Sequence, residues 1–246
     1  MIDNMEASPV DEKPDFDSLL SDLFGLNVRG ARTLWDLFAR PKRVFESARV
    51  FDWRSRYTPT MRLAFSILTV FSLLSFFWAS EDGVLYQTLL ARFSERLAED
   101  PNAESVNAIL SATFAGYNFI YPFAYMLVHT IAASVLFVWG KGTPWVARIR
   151  LYFGVASVGI ALATIFVFAM PFLSLDLIVV STVLSILLSV IVYVIIFARG
   201  MNGEFSALGL YMRAVFVALF ITVADLVAAS LAGIGAGQWA SFQLGL

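Results

Sequence analysis

Of the 246 residues, 59% are hydrophobic and only 15% are charged, whereas soluble domains carry roughly 25% charged residues. This composition excludes an ordinary soluble domain, and the net charge of -2 provides no basic field for nucleic acid. The chain contains no cysteine, which excludes disulfides, thiol catalysis and cysteine-based metal sites.

The N-terminal 58 residues divide into two segments of different charge. Residues 1–14 are rich in acids and predict a disordered tail. Residues 15–58 alternate large apolar and basic residues and predict cytoplasmic amphipathic helices. Arg40, Lys42, Arg43 and Arg49 are candidates for binding anionic lipid at the membrane surface. The alternative is that these helices dock onto the cytoplasmic end of a helical bundle.

Five apolar runs follow, each near the roughly 20 residues that a membrane-spanning helix needs. They predict an all-α integral membrane bundle over residues 59–246. The predicted spans are residues 63–80, about 118–140, 151–170, 177–198 and about 213–235. Between the first two, residues 84–99 have one apolar face and predict an external amphipathic helix that caps the bundle.

The charges between the spans alternate in sign and indicate the orientation. Nine Lys and Arg residues lie between Arg29 and Arg62, whereas residues 81–117 carry six acids against two Arg. Basic residues return at Lys141, Arg148 and Arg150 and are absent from residues 171–176. Because basic loops stay in the cytoplasm, the pattern predicts a cytoplasmic N-terminus and an external C-terminus.

Asp225 interrupts the fifth run and is the strongest candidate for chemistry. A carboxylate at mid-span costs about 2.5–3.5 kcal/mol on the mild insertion scale, so it requires a partner or a function. His129, the only histidine, lies at a similar depth in the second run. A contact between the two would make a proton-relay or ion-binding element. The alternative is that each side chain satisfies a neighbouring polar group and serves only packing.

Small residues recur along the fourth and fifth runs and predict close helix packing. The packing candidates are Ser185 in the fourth run, and Ala218 and Gly233 in a stripe of four-residue steps that Asp225 shares. Tyr152 and Trp139, which lie near predicted span ends, are expected to be interfacial anchors.

The sequence lacks the residues that metal binding and nucleotide binding require. One histidine and no cysteine leave no metal-ligand cluster, and no glycine-rich nucleotide motif follows a predicted strand. We therefore expect no metal, no cofactor and no enzymatic activity.

Three short segments carry a resemblance to a known family: residues 32–37 (RTLWDL), residues 40–45 (RPKRVF) and residues 57–63 (YTPTMRL). They resemble a family of uncharacterised bacterial inner-membrane proteins, in which a basic N-terminal region leads into the first span. The five-span arrangement also resembles Yip-type membrane proteins. The resemblance implies a multi-pass protein of the bacterial inner membrane without a known ligand. Many members carry an N-terminal cysteine-rich zinc ribbon, which this chain cannot form.

Two functional classes follow from these observations. The first is a non-enzymatic inner-membrane protein that is an accessory or scaffolding component of a membrane complex, or that organises the membrane. Its expected partners are membrane lipids and other membrane proteins or further copies of itself, and not nucleic acid. The alternative is a small transporter or channel that uses Asp225 with His129. It ranks second because no matching pair of broken helices indicates inverted repeats.

Overall fold

The structure of the chain is a computed structural model that describes residues 28–50, 56–78, 83, 86–91 and 103–245. The predicted acidic tail, residues 15–27 and most of the predicted external helix lie outside these residues. Of the external helix, residues 86–91 are described and are helical.

The described residues form helices and turns without a strand, so the predicted all-α class is confirmed. The helices are α1 (Val28–Ala39), α2 (Pro41–Arg49), α3 (Thr60–Trp78), α4 (Ala103–Val135), α5 (Trp145–Ala169), α6 (Leu175–Gly200) and α7 (Ala207–Leu244), with a 3-10 turn at Met170–Phe172 between α5 and α6. Pro41 begins α2 at a position where a missing N–H is harmless.

Four of these helices, α4 to α7, are long and apolar enough to cross a membrane, so the chain is a membrane protein with several spans. The apolar stretch Thr60–Ser75 of α3 is shorter. Nevertheless, at about 1.5 Å per residue the 19 residues of α3 rise about 28 Å, close to the roughly 30 Å hydrocarbon core. The prediction that α3 also crosses the membrane, as the first of five spans, therefore stays a prediction.

The end of the second predicted span is wrong. Of the predicted residues 118–140, residues 118–135 form the C-terminal part of a 33-residue helix that starts at Ala103 and ends at Val135. The following residues leave the helix, and Gly140 adopts a φ of 109° that favours glycine. The fifth predicted span, 213–235, is the middle of α7, which has 38 residues. Hydropathy averages over a window and therefore cannot locate the polar ends of long helices.

Helix α5 is the central helix of the bundle. It packs against α3, α4 and α6, while α7 packs against α4 and α6. In its most apolar stretch 61% of the residues are buried, against 17% in α6. Small residues such as Gly154, Ala156 and Gly159 let α5 approach its neighbours closely. Helix α6 consequently exposes most of its apolar surface to the surrounding lipid.

The seam between α4 and α7 is built from alanines, but it does not follow the predicted stripe throughout. Ala218 is fully buried, as the prediction requires, and the buried positions continue through Ala224, Ala228 and Ala232. A Cβ added at Gly233 would meet no described residue within 4 Å, so packing at Gly233 is not found among the residues that the structure describes. Because each helical residue turns about 100°, steps of four residues drift by about 40° and leave the seam.

Helices α1 and α2 dock onto the bundle by their apolar faces. Leu37, Val44 and Phe45 are buried and belong to the same hydrophobic core as the long helices. A Cβ at Gly200 would overlap the ring of Phe45, so α2 crosses the end of α6 at very short range. Docking is therefore what the structure shows for these faces.

Two arginines from the long helices hold the ends of α1 and α2. The guanidinium of Arg199 donates to the carbonyl oxygens of Phe38 and Ala39, at 3.3 and 2.7 Å. Arg150 donates to the carbonyl of Ala48 at 3.1 Å. The last carbonyls of a helix have no partner inside it and carry partial negative charge, so cationic donors stabilise them.

Candidate functional site

The structure brings His129 of α4 and Asp225 of α7 together inside the bundle. The Nε2 atom of His129 lies 3.1 Å from Oδ1 of Asp225, although the angle between the groups departs from that of a hydrogen bond. Further along the same two helices, Gly116 and Ala236 let the backbones approach closely. The predicted pair therefore exists as a geometry, while its role as a relay stays a prediction.

Two tyrosines fix the orientation of the His129 ring. Tyr125 stacks on it, with ring centroids 3.7 Å apart and planes at 11°. The hydroxyl of Tyr152 lies 2.9 Å from Nδ1. When Tyr152 donates to Nδ1, the imidazole proton is on Nε2 and faces Asp225. When both nitrogens are protonated, the hydroxyl can accept instead, so the site accommodates both charge states of the ring.

A cavity of about 180 Å³ lies beside this pair, and all the helices from α3 to α7 contribute to its wall. Seven residues of the wall carry a carboxylate or a hydroxyl group in the side chain. They are Asp225, Tyr121, Tyr125, Tyr193, Ser185, Ser189 and Thr222. The rest of the lining is apolar, from Leu68 and Phe71 on one side to Ile160 and Ile186 on the other.

The two partners differ in their access to the cavity. The side chain of Asp225 is 33% exposed, whereas that of His129 is completely buried. A solute in the cavity can therefore reach the carboxylate directly and the imidazole only through it. Asp225 stands between the cavity and the imidazole of His129.

Gly159 of α5 sets the shape of the cavity. A Cβ at this position would overlap the hydroxyl of Tyr193, which occupies the room that the glycine leaves. Both residues line the cavity. Neither residue carries a distinctive signal in the sequence, because a tyrosine in an apolar run and a glycine in a small-residue helix are common packing features. Tyr152, expected at the interface, is fully buried at the site instead, and Trp139 is also buried.

The remaining candidate residues lie elsewhere or act differently. Ser185 lines the cavity, and its hydroxyl donates to the carbonyl of Thr182 at 2.8 Å. Arg40, Lys42 and Arg43 are exposed on the outer side of the docked helices, where lipid binding stays a prediction.

Arg49 faces the bundle rather than free solvent. Its guanidinium donates to Glu204 at 2.7 Å and approaches the sulfur of Met201 at 3.3 Å. It therefore helps to attach α2 to the loop that follows α6, which makes it a poorer candidate for lipid binding than the other three.

The chain matches no protein-family model, no curated protein and no solved structure. The resemblance to Yip-type proteins therefore remains a prediction.

Proposed function

We propose that this chain is a small membrane transporter or channel that binds a cation at Asp225 and exchanges it against a proton held by His129. The observation that supports this best is the position of Asp225. Its carboxylate lies in the wall of a mostly apolar cavity inside the bundle, and His129 Nε2 lies 3.1 Å from its Oδ1 atom.

The chemistry follows from charge balance in a medium of low dielectric constant. An isolated carboxylate is costly there, and either a protonated His129 or a bound cation can neutralise it. A cation in the cavity would repel a neighbouring imidazolium, so binding favours release of the proton. The two positive charges therefore compete for one negative charge, which is a thermodynamic coupling between cation and proton.

The size of the cavity limits the solute. About 180 Å³ accommodates a few water molecules or a small cation with part of its hydration shell. The phenolic and aliphatic hydroxyls that line it can replace water ligands, since hydroxyl oxygens are hard donors. Sodium, potassium and small protonated amines fit this description.

Replacement of the carboxylate tests the proposal. Asp225→Asn keeps the size of the side chain and removes its charge, so it should reduce cation-driven proton movement by about ten- to hundredfold. Proteoliposomes that contain a pH-sensitive dye, challenged with external sodium, potassium or methylammonium, provide the measurement. The matched control is Asp176→Asn, which changes an exposed carboxylate in the first turn of α6.

A second variant separates cation binding from proton exchange. His129→Gln retains a polar group beside Tyr152 but cannot take up a proton, so cation movement should become independent of pH. Unchanged proton movement in Asp225→Asn, with the folded yield of the wild type, would contradict the transport proposal.

A non-enzymatic accessory or scaffolding protein is the second candidate. The observation that favours it is the exposed side of α7, where a Cβ at Gly233 or Gly237 would meet none of the described residues within 4 Å. Such a surface of small residues is suited to another helix. This candidate makes the opposite prediction for Asp225→Asn, because a packing role requires no charge at that position.

We also propose that the protein lies in the bacterial inner membrane, with a cytoplasmic N-terminus, five spans and an external C-terminus. The support is the alternation of charge between the spans. Arg150, Arg199 and Arg213 all lie at the end of the bundle where α1 and α2 dock, so the basic residues are collected on one side.

A further inference from the structure

A second cavity of about 490 Å³ lies between α3 and α4, and Asp225 does not contribute to it. Its wall includes three phenylalanines, of which Phe65 and Phe123 have ring centroids 6.2 Å apart and Phe119 and Phe123 5.7 Å apart. Phe119, Phe123 and Leu73 are more than half exposed. In a membrane-spanning bundle these side chains face lipid, so this groove opens sideways toward the bilayer.

Two polar atoms in the groove have no hydrogen-bond partner among the described residues. They are the hydroxyl oxygen of Ser72 and the amide nitrogen of Asn118, and both are shielded from solvent. Ser66, Thr69 and Ser75 on the same helix each donate to the carbonyl four residues earlier. Ser72 therefore departs from the pattern of its own helix.

Pro122 removes one hydrogen bond of α4 at the same place. A proline has no N–H, so it cannot donate to the main-chain carbonyl of Asn118 as the helix otherwise would. Unsatisfied polar groups are costly in hydrocarbon. The side chains of Ser72 and Asn118 thus carry hydrogen-bonding capacity that the described residues leave unused.

We propose that this groove binds a lipid-soluble quinone-type molecule, with a flat ring that carries carbonyl oxygens and an apolar tail. The Asn118 amide nitrogen and the Ser72 hydroxyl are shielded, so their side chains would rotate to donate to a ring carbonyl, and the phenylalanines would contact the ring. The apolar tail would leave through the lateral opening. The proposal concerns binding, independently of the transport proposed for Asp225.

The depth of the two donors argues for this class over a phospholipid. Ser72 lies 12 residues after Thr60 and six residues before Trp78, which is about 18 Å and about 9 Å from the two ends of α3. A phospholipid keeps its charged head group and esters near the interface, whereas an uncharged ring with carbonyl groups partitions deeper. Because the amide nitrogen of Asn118 can only donate, the ligand must carry an acceptor.

Quenching of tryptophan fluorescence by a decyl-benzoquinone tests the proposal on the full chain in phosphatidylcholine nanodiscs. Trp239 is a suitable reporter, since its ring centroid lies 6.4 Å from that of Phe119. We expect saturable quenching in the wild-type protein. Ser72→Ala and Asn118→Leu should each raise the Kd by about three- to tenfold, because each removes one hydrogen bond.

The matched controls are Thr69→Val and Ser66→Ala, which alter hydroxyls in the same groove that already have partners. Both should bind the quinone as the wild type does. If Asn118→Leu fails to fold, as thermal unfolding would show, the comparison of Ser72→Ala with Ser66→Ala decides. Quenching that does not saturate, equal Kd values in all variants, or displacement by phosphatidylglycerol at equal mole fraction would overturn the proposal.

Discussion

At the scale of single residues, His129 contacts three groups of different chemistry. Asp225 offers a negative charge, Tyr152 a reversible hydrogen bond and Tyr125 an aromatic face. Such a ring has little freedom to rotate, so a change in its charge must act through Asp225 and the cavity. Because Tyr152 can donate to Nδ1 or accept from it, the ring can keep its position in both protonation states.

Gly159→Ala should disturb the cavity without changing any polar group in it. The new methyl group would overlap the Tyr193 hydroxyl, and overpacking of this kind costs about 1–3 kcal/mol. We expect a lower thermal unfolding temperature in detergent and a weaker response to cations in the proteoliposome assay. Gly237→Ala is the control, because a Cβ there meets nothing within 4 Å; equal effects of both changes would contradict the role given to Gly159.

The two ionisable partners could be found from the sequence, but their surroundings could not. Asp225 and His129 stand out because charged or titratable groups are rare in apolar runs. Tyr193 and Gly159 carry no such signal, and Tyr152 looks like an interfacial anchor because it follows a basic segment. Which residues meet depends on how each helix is rotated about its axis, and hydropathy contains little information on rotation.

At the scale of elements, α1 and α2 show why an amphipathic pattern leaves its partner undetermined. The spacing of Leu37, Val44 and Phe45 predicts an apolar face, and a lipid surface or a protein surface satisfies it equally well. The structure buries this face and leaves Trp35 and Phe38 exposed on the other side. The carbonyl contacts of Arg150 and Arg199 connect residues far apart in sequence, which no local pattern reveals.

Gly200→Ala should release α2 from the bundle. The added Cβ would overlap the ring of Phe45, so the helix must shift or detach. Limited digestion with trypsin, which cleaves after Lys42 and Arg43, should become about tenfold faster, since the rate follows the population of the open state. Gly233→Ala provides the control, because nothing lies within 4 Å of its Cβ; equal digestion of both variants would contradict the close crossing.

At the scale of the whole molecule, composition and hydropathy sufficed for the all-α class and for the presence of several spans. The number of spans depends on α3, whose length is near the limit for crossing. Because an odd number of spans puts the two termini on opposite sides, the status of α3 also decides the orientation of the C-terminus.

The lack of native cysteine makes the orientation directly measurable. Single cysteines at the exposed positions Lys141 and Ser174 should react differently with a membrane-impermeant maleimide in intact cells. We expect labelling of Ser174→Cys from outside and of Lys141→Cys only after the membrane is opened, because basic loops remain in the cytoplasm. The reverse labelling would contradict the proposed orientation.

The docking of α1 also has a consequence for the protein while the ribosome synthesises it. The donor that holds its end, Arg199, follows Phe38 by 161 residues, which take roughly ten to thirty seconds to synthesise. During this interval α1 and α2 have been synthesised, but the part of the bundle that their apolar faces bind has not. The nascent helices therefore need temporary cover, and the nearby bilayer surface, attractive to their basic residues, is suited to provide it until α6 is complete.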